Sequence, residues 1–293
     1  MDNDTFISAC ENNNLKKIKG VSVEHLHTNR GILAACRKGH LRIIKYLISL
    51  NNMYFHEHHG ILEACTYGHL HIMKYFGVST SSLDFQVNYL MIACEHGYIN
   101  IVMYIISLGG DFRSYYTDIL RLVIRKDRLD ILKYLLSLNY DNRMNIDNQL
   151  HLSCYFGHLD ITKYLVDRGA NIKVDDMETS IIYGHLNIVK YIVSTGFDIN
   201  NNNYMTNAIV QRHFDIVKYF LSIGVNTNRL SKECKKIISV VRIWNFYRNQ
   251  INRKKIERIL EELYPIYYHP DMKGGYFATN SIKKLFYLLT QSN

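Results

Sequence analysis

Apolar residues return along this chain in one spacing, seven times over. In the stretch Leu41 to Leu50, LRIIKYLISL, they stand at 41, 44, 47 and 48, the one-sided stripe of an amphipathic helix. A Gly-His-Leu anchor opens that stripe at Gly39-His40-Leu41. It is followed by Gly68-His69-Leu70, Gly97-Tyr98-Ile99, Asp127-Arg128-Leu129, Gly157-His158-Leu159, Gly184-His185-Leu186 and Arg212-His213-Phe214, at steps of 29, 29, 30, 30, 27 and 28 residues. Seven residues after each anchor glycine or its equivalent comes a tyrosine: Tyr46, Tyr75, Tyr104, Tyr134, Tyr164, Tyr191 and Tyr219. Lysine precedes six of them. An eighth, degenerate unit stands in front, with Ala9-Cys10 in the place of Ala35-Cys36 and Leu15 in that of Leu41.

Each unit reads as helix, tight turn, helix. Asn88, Asp118, Asn148, Asp175 and Asn203 are the expected N-caps, since their side-chain oxygens can accept from an unpaired N–H of a first turn. Two positions later comes an aliphatic residue, Ile32, Ile61, Leu90, Leu120, Leu150, Met177 or Met205. The first helix is expected to end at the glycine, which takes the left-handed conformation that closes a helix. One such pair cannot bury its apolar face alone, so eight of them must stack around a continuous core. The expected fold is an all-α helix-turn-helix solenoid over residues 1–230, with a small basic helical segment over 231–293.

The unit resembles the ankyrin repeat, most fully where His151 to Asn171 reads HLSCYFGHLDITKYLVDRGAN. Two departures mark it: the family's Thr-Pro-Leu-His is lost except for His151, and the period of 27–30 falls short of the family's 33. Shortened, proline-poor units rich in Asn and Tyr are similar to the multi-copy ankyrin proteins of giant DNA viruses of the mimivirus type. The resemblance implies a non-enzymatic scaffold that binds a partner protein, with a host factor as the partner if the viral likeness extends that far.

Composition changes this picture at one place. With 47% hydrophobic and 21% charged residues the chain is ordinary for a globular protein. No apolar run long enough to span a membrane occurs, and the polar start MDNDTFISACENNN is no secretory signal, so an intracellular, cytoplasmic monomer is expected. The net charge of +9 is uneven: residues 1–230 hold 23 Lys and Arg against 21 Asp and Glu, whereas 231–293 hold 12 against 5.

Repetition also decides how the reactive residue types are read. Cys10, Cys36, Cys65, Cys94 and Cys154 share one repeat position with Ile124, Ile181 and Ile209, which makes it an apolar core slot. The Gly-His histidines alternate with Tyr98 and Arg128, so a structural role at the turn is expected, with local packing or hydrogen bonding. The lysine column is expected to be a solvated ridge, paired weakly three residues back to Asp130, Asp160 and Asp215. His56, His58 and His59 in NNMYFHEHHG break the pattern, but no carboxylate or cysteine completes a metal spacing beside them. Neither a cofactor nor a catalytic set is expected.

Partner binding is sought where the repeat fails to repeat, in the connecting segments, where the candidate anchors are Tyr54, Phe55, Phe85, Phe112, Tyr115, Tyr116, Tyr140 and Phe197. The tail supplies the rival. Between Lys235 and Leu263 it carries Trp244 among apolar residues and the basic group Arg242, Arg248, Arg253, Lys254, Lys255 and Arg258. Three readings stand: its apolar face caps the last repeat, it binds nucleic acid or an anionic surface, or it forms an amphipathic helix for a partner such as calmodulin.

Overall fold

The computed structural model describes residues 1–20, 26–50, 55–78, 82–138, 145–199, 203–228 and 230–247. Among these there are helices and no strand. The chain divides into two compact units, Met1–Leu152 and Ser153–Asn293.

In the first unit the leading helices of the repeats are α1 (Asn3–Glu11), α3 (Thr28–Lys38), α5 (Glu57–Thr66), α7 (Leu83–His96) and α9 (Tyr116–Arg125). Their followers are α2 (Leu15–Lys19), α4 (Leu41–Leu50), α6 (Leu70–Phe76), α8 (Ile99–Ser107) and α10 (Leu129–Ser137). Each leading helix packs on the next, α1 on α3, α3 on α5, α5 on α7 and α7 on α9. Helix α11 (Ile146–Phe156) runs from the first unit into the second. The second unit continues with α12 (Leu159–Asp167), α13 (Val174–Ile182), α14 (Leu186–Ser194), α15 (Tyr204–Val210), α16 (Phe214–Ser222) and α17 (Lys232–Tyr247). There α13 packs on α15, and α14 lies between α12 and α16. Helix α17 lies against both helices of the last repeat, α15 and α16, and buries Cys234, Ile238 and Val241.

The repeated aliphatic position is core throughout: Ile32, Ile61, Leu90, Leu120, Leu150, Met177 and Met205 are all buried. On α4 the buried stripe is Ile43, Ile44 and Leu47, while Leu41 and Ile48 are half-buried. The expected stripe is therefore turned by part of a helical step. The expected N-caps need a larger correction. Helix α7 starts after Ser82 and α9 after Tyr115, so Asn88 and Asp118 lie inside their helices. Asn148 lies inside α11 and Asp175 in the first turn of α13; only Asn203 stands at the cap position. A carboxylate or amide in the first turn meets the same partial positive charge and free N–H groups as a cap does. Asp176 shows this directly, its Oδ2 accepting from the Lys173 backbone N–H at 2.8 Å.

The anchor glycines take positive φ as expected, and so do the residues that replace them, Asn13, Asp127 and Arg212. The histidine beside the glycine does more than its local turn requires. His40 Nε2–H donates to the carbonyl of Glu11 at 2.9 Å, and His69 Nε2–H to that of Arg37 at 3.0 Å. In the second unit His185 donates to Tyr155 at 3.0 Å and His213 to Ile182 at 2.9 Å. Each accepting carbonyl sits two residues before the preceding repeat's helix-ending position, in a last turn whose carbonyls lack helical partners. Arg128 reaches the equivalent Glu95 carbonyl through Nε and Nη2, at 3.2 and 3.0 Å. Tyr98 places its hydroxyl 3.5 Å from Thr66 O. Histidine, arginine and tyrosine share the position because each is a donor long enough to brace the previous repeat. The expected local hydrogen bond is thus replaced by one between repeats.

Candidate functional site

On the second helices the lysine column has a partner that spacing did not reveal. Lys19 stands over the ring of Tyr46, Lys45 over Tyr75 and Lys74 over Tyr104, at 5.6, 5.3 and 5.2 Å. In the second unit Lys163 stands over Tyr191 at 6.0 Å and Lys190 over Tyr219 at 5.6 Å. Lys163, which i,i+3 spacing would pair with Asp160, is thus turned to the next repeat's ring. Each such cation–π contact contributes about 0.5–1 kcal/mol at an exposed site. These lysines are part of the scaffold rather than a bare basic ridge.

The expected anchors divide sharply. Phe112 and Tyr116 are buried, and the Tyr116 hydroxyl donates to the Leu135 carbonyl at 2.9 Å. These two are core residues and offer a partner no surface, which corrects their assignment. Phe55 is half-buried against Phe76, ring centroids 5.7 Å apart, and Phe197 is half-buried beside Tyr204 at 6.4 Å. Tyr115 is half-buried, and Phe85 is exposed, its ring edge-on to His58 at 4.5 Å. Tyr54, Tyr140, Arg248, Arg253, Lys254, Lys255 and Arg258 lie outside the described residues, as does the side chain of Arg242.

A different set of side chains comes forward at the ends of the leading helices. The two residues before each anchor glycine or its equivalent are Arg37-Lys38, Thr66-Tyr67, Glu95-His96, Arg125-Lys126, Tyr155-Phe156, Ile182-Tyr183 and Val210-Gln211. In the first unit they are polar and engaged within the chain. Arg37 forks onto Glu63 through Nε and Nη2, at 3.2 and 3.1 Å, and lies over the Tyr67 ring at 5.8 Å. Lys126 pairs with Glu95 at 2.8 Å. In the second unit four of the six residues at these positions are open with large apolar groups, Tyr155 at 40% exposed, Ile182 39%, Tyr183 49% and Val210 64%, beside half-buried Phe156 and polar Gln211; Tyr67 of the first unit, beneath Arg37, is 47% exposed. The rings of Tyr155 and Tyr183 lie 4.5 Å apart.

Residues 90–176 match the family model for ankyrin repeats in 3 copies. Over that span the chain is similar to ankyrin repeats. The match runs from Leu90 on α7 to Asp176 on α13, and the all-α helix-turn-helix architecture around it is that of an ankyrin-type solenoid. Ankyrin repeats are in general protein–protein interaction modules. No curated protein matches the chain.

The cysteines of the repeats fill the slot that repetition assigned them. Cys10, Cys36, Cys65, Cys94 and Cys154 are free and buried, and burial pushes each thiol up to about 12. A thiol so far above neutral pH carries almost no thiolate and is a poor nucleophile.

The histidine cluster sits at the start of α5. His58 and His59 have ring centroids 4.5 Å apart, and His56 and His59 5.6 Å. Nδ1 of His58 is shut off from water without a hydrogen-bond partner. Burial first, and then the neighbouring His59 and His56, hold the His58 imidazole below its ordinary 6.5. The folded state therefore binds the proton less readily than the unfolded one. Stability is full above that ordinary value and falls as the pH drops below it toward the lower folded value. Thermal unfolding of the whole chain should show a midpoint that declines as the pH falls below the ordinary histidine value, and His58→Gln should flatten part of that decline. A profile unchanged by the substitution would remove His58 as its source.

Proposed function

We propose that the chain is a non-enzymatic scaffold that binds a partner protein on the side of its leading helices and inter-repeat loops, the concave side that ankyrin repeats offer. One observation carries this reading. The helix-ending residue keeps positive φ and the residue after it reaches back to the preceding repeat, while the two surface residues just before them change chemistry from repeat to repeat. Variable side chains on a rigid frame are what selective recognition requires. The likeness in repeat style to giant-virus proteins makes a host factor the partner class to search first.

The test is affinity capture with the full chain, compared with Phe85→Ala and Tyr115→Ala, which change open or half-open side chains outside the frame. The expected result is a protein retained by the parent chain and weakened by at least one of the substitutions. Nothing retained above an unrelated ankyrin array would sink the proposal.

The net +7 of residues 231–293 supports a second reading, binding of nucleic acid or an anionic surface. Affinity for DNA or RNA should then fall steeply with salt and drop when Arg242, Arg248, Arg253 and Arg258 are neutralised together. Salt-independent affinity, or none, would leave the tail as a cap, the role that the packing of α17 on α15 and α16 supports.

A further inference from the structure

We propose that the open apolar ends of α11, α13 and α15 within residues 153–212 dock a segment of a partner protein whose apolar side chains are flanked by lysine or arginine. The inference rests on the scaffold reading and adds the partner's chemistry. Tyr155, Ile182, Tyr183 and Val210 occupy the two repeat positions before the anchor, where the first unit places charged side chains such as Arg37, paired with Glu63, and Lys126, paired with Glu95. The second unit has no such charges at those positions, and apolar side chains stand in water instead. With leading helices about 8–10 Å apart, the three ends span about 16–20 Å, the length of five or six extended residues.

Two observations select a cationic partner. The first is charge. In a chain of net +9, residues 153–212 carry six Asp and Glu against five Lys and Arg, and three of those cations, Lys163, Arg168 and Lys190, already lie over the rings of Tyr191, Tyr164 and Tyr219. On α13, Asp175, Glu178 and Ile182 are spaced three and then four residues apart, so they share one helical face, with carboxylates toward its start and the apolar residue at its end. Asp176, by contrast, is buried in its cap. A segment lying along this face meets apolar surface at one end and negative charge at the other.

The second observation is what the chain does with its own tyrosines. Tyr67 holds the same place in its repeat as Tyr183, and the residue that covers Tyr67 is Arg37 of the preceding repeat. The counterpart of Arg37 beside Tyr183 is Tyr155, whose ring lies at 4.5 Å and supplies no charge. The ring pair, its planes inclined at 59°, is thus an aromatic corner in the position where the first unit has a guanidinium. A partner's arginine or lysine can take that place, with its apolar neighbours on Ile182 and Val210.

Fluorescence anisotropy with the full chain tests this, using a labelled Leu/Lys peptide of about twelve residues and its Leu/Glu and Ser/Lys counterparts. Leu/Lys should bind about tenfold or more tighter than either counterpart, and Tyr155→Ala with Tyr183→Ala should weaken it about tenfold. Asp175→Asn with Glu178→Gln should weaken it less and reduce its dependence on salt. Val210→Ser, at the most open position, should also weaken it with an unchanged circular-dichroism spectrum, and Tyr67→Ala should leave it unchanged. Equal affinity for the three peptides, binding unaffected by the Tyr155 and Tyr183 substitutions, or no binding of Leu/Lys overturns the assignment. A parent chain that sediments as a dimer and is dissociated by Tyr183→Ala also overturns it, in favour of a second copy as occupant. A captured partner that the Tyr155 and Tyr183 substitutions do not release overturns this assignment while the scaffold reading stands.

Discussion

Gly184→Ala should destabilise the chain by about 2–4 kcal/mol in urea denaturation, against about 1 kcal/mol for Gly196→Ala. Both glycines have positive φ, +78° and +86°, so both substitutions carry the strain of an L residue in the left-handed region. They differ in what a methyl group would meet. At Gly196 there is nothing within 4 Å, whereas at Gly184 the added carbon would lie 2.5 Å from Cε1 of His213 and 2.6 Å from its Nδ1. The ring cannot retreat without loosening its 2.9 Å bond to the Ile182 carbonyl, which then loses a partner at the end of α13. That bond is exposed, so its loss costs about 0.5–1.5 kcal/mol and the rest of the difference comes from the displaced ring. His213→Ala in the Gly184→Ala background should therefore cost less than His213→Ala alone, because the clash and the brace are one contact. Equal losses for the two glycine variants would show that backbone strain, and not the brace, sets the requirement for glycine. Asn13 marks the limit of that requirement: it holds φ at 55° while His40 still bonds to Glu11, in the degenerate first repeat.

What the sequence made legible was whatever it repeats. Ile32, Ile61, Leu90 and their equivalents could be placed in the core because seven occurrences at one spacing admit no other common cause. The cysteine slot was legible for the same reason, since isoleucine replaces cysteine there. The histidines were half legible: substitution by tyrosine and arginine excluded catalysis, but their partners are backbone carbonyls of the preceding repeat, and no side-chain pattern records a carbonyl. The lysines were half legible: they are exposed as expected, but the rings beside Lys163 and Lys190 belong to the next repeat, and spacing within one repeat does not record them. The caps failed for another reason. Asp118, Asn148 and Asp175 fall in a first turn and Asn88 a turn further in, so residue type alone does not say where in a helix start they stand.

The candidate surface was missed because it lies inside the frame. Residues such as Ile182 and Tyr183 sit beside an anchor that repeats, and attention to the connecting segments passed over them. The signal was present nonetheless, in a column that reads Arg-Lys, Thr-Tyr, Glu-His, Arg-Lys, Tyr-Phe, Ile-Tyr and Val-Gln. Such variation at an exposed helix end is unlike variation in a loop, where a single occurrence of each segment leaves burial undetermined. Phe112 and Tyr116 lie in or beside a loop of that kind.

Phe112→Ala should lower stability by about 3–5 kcal/mol and leave partner binding by the folded chain intact. Phe112 is 1% exposed, and its ring closes on Gly110, where an added carbon would lie 2.9 Å from Cζ. Truncation removes the transfer free energy of a whole phenyl ring and leaves a cavity beside Gly110, just ahead of the 3-10 turn Arg113–Tyr115 that leads into α9. An anchor for a partner would behave in the opposite way, with an unchanged unfolding midpoint and lost binding. Tyr115→Ala serves as the neighbour control: it is half-buried, so its cost should stay below about 1–2 kcal/mol. The comparison is made by urea denaturation of the full chain, followed by anisotropy at a temperature where each variant is folded. An unfolding midpoint for Phe112→Ala equal to that of the parent chain would return Phe112 to the surface and with it the expectation that connecting segments, rather than helix ends, carry recognition.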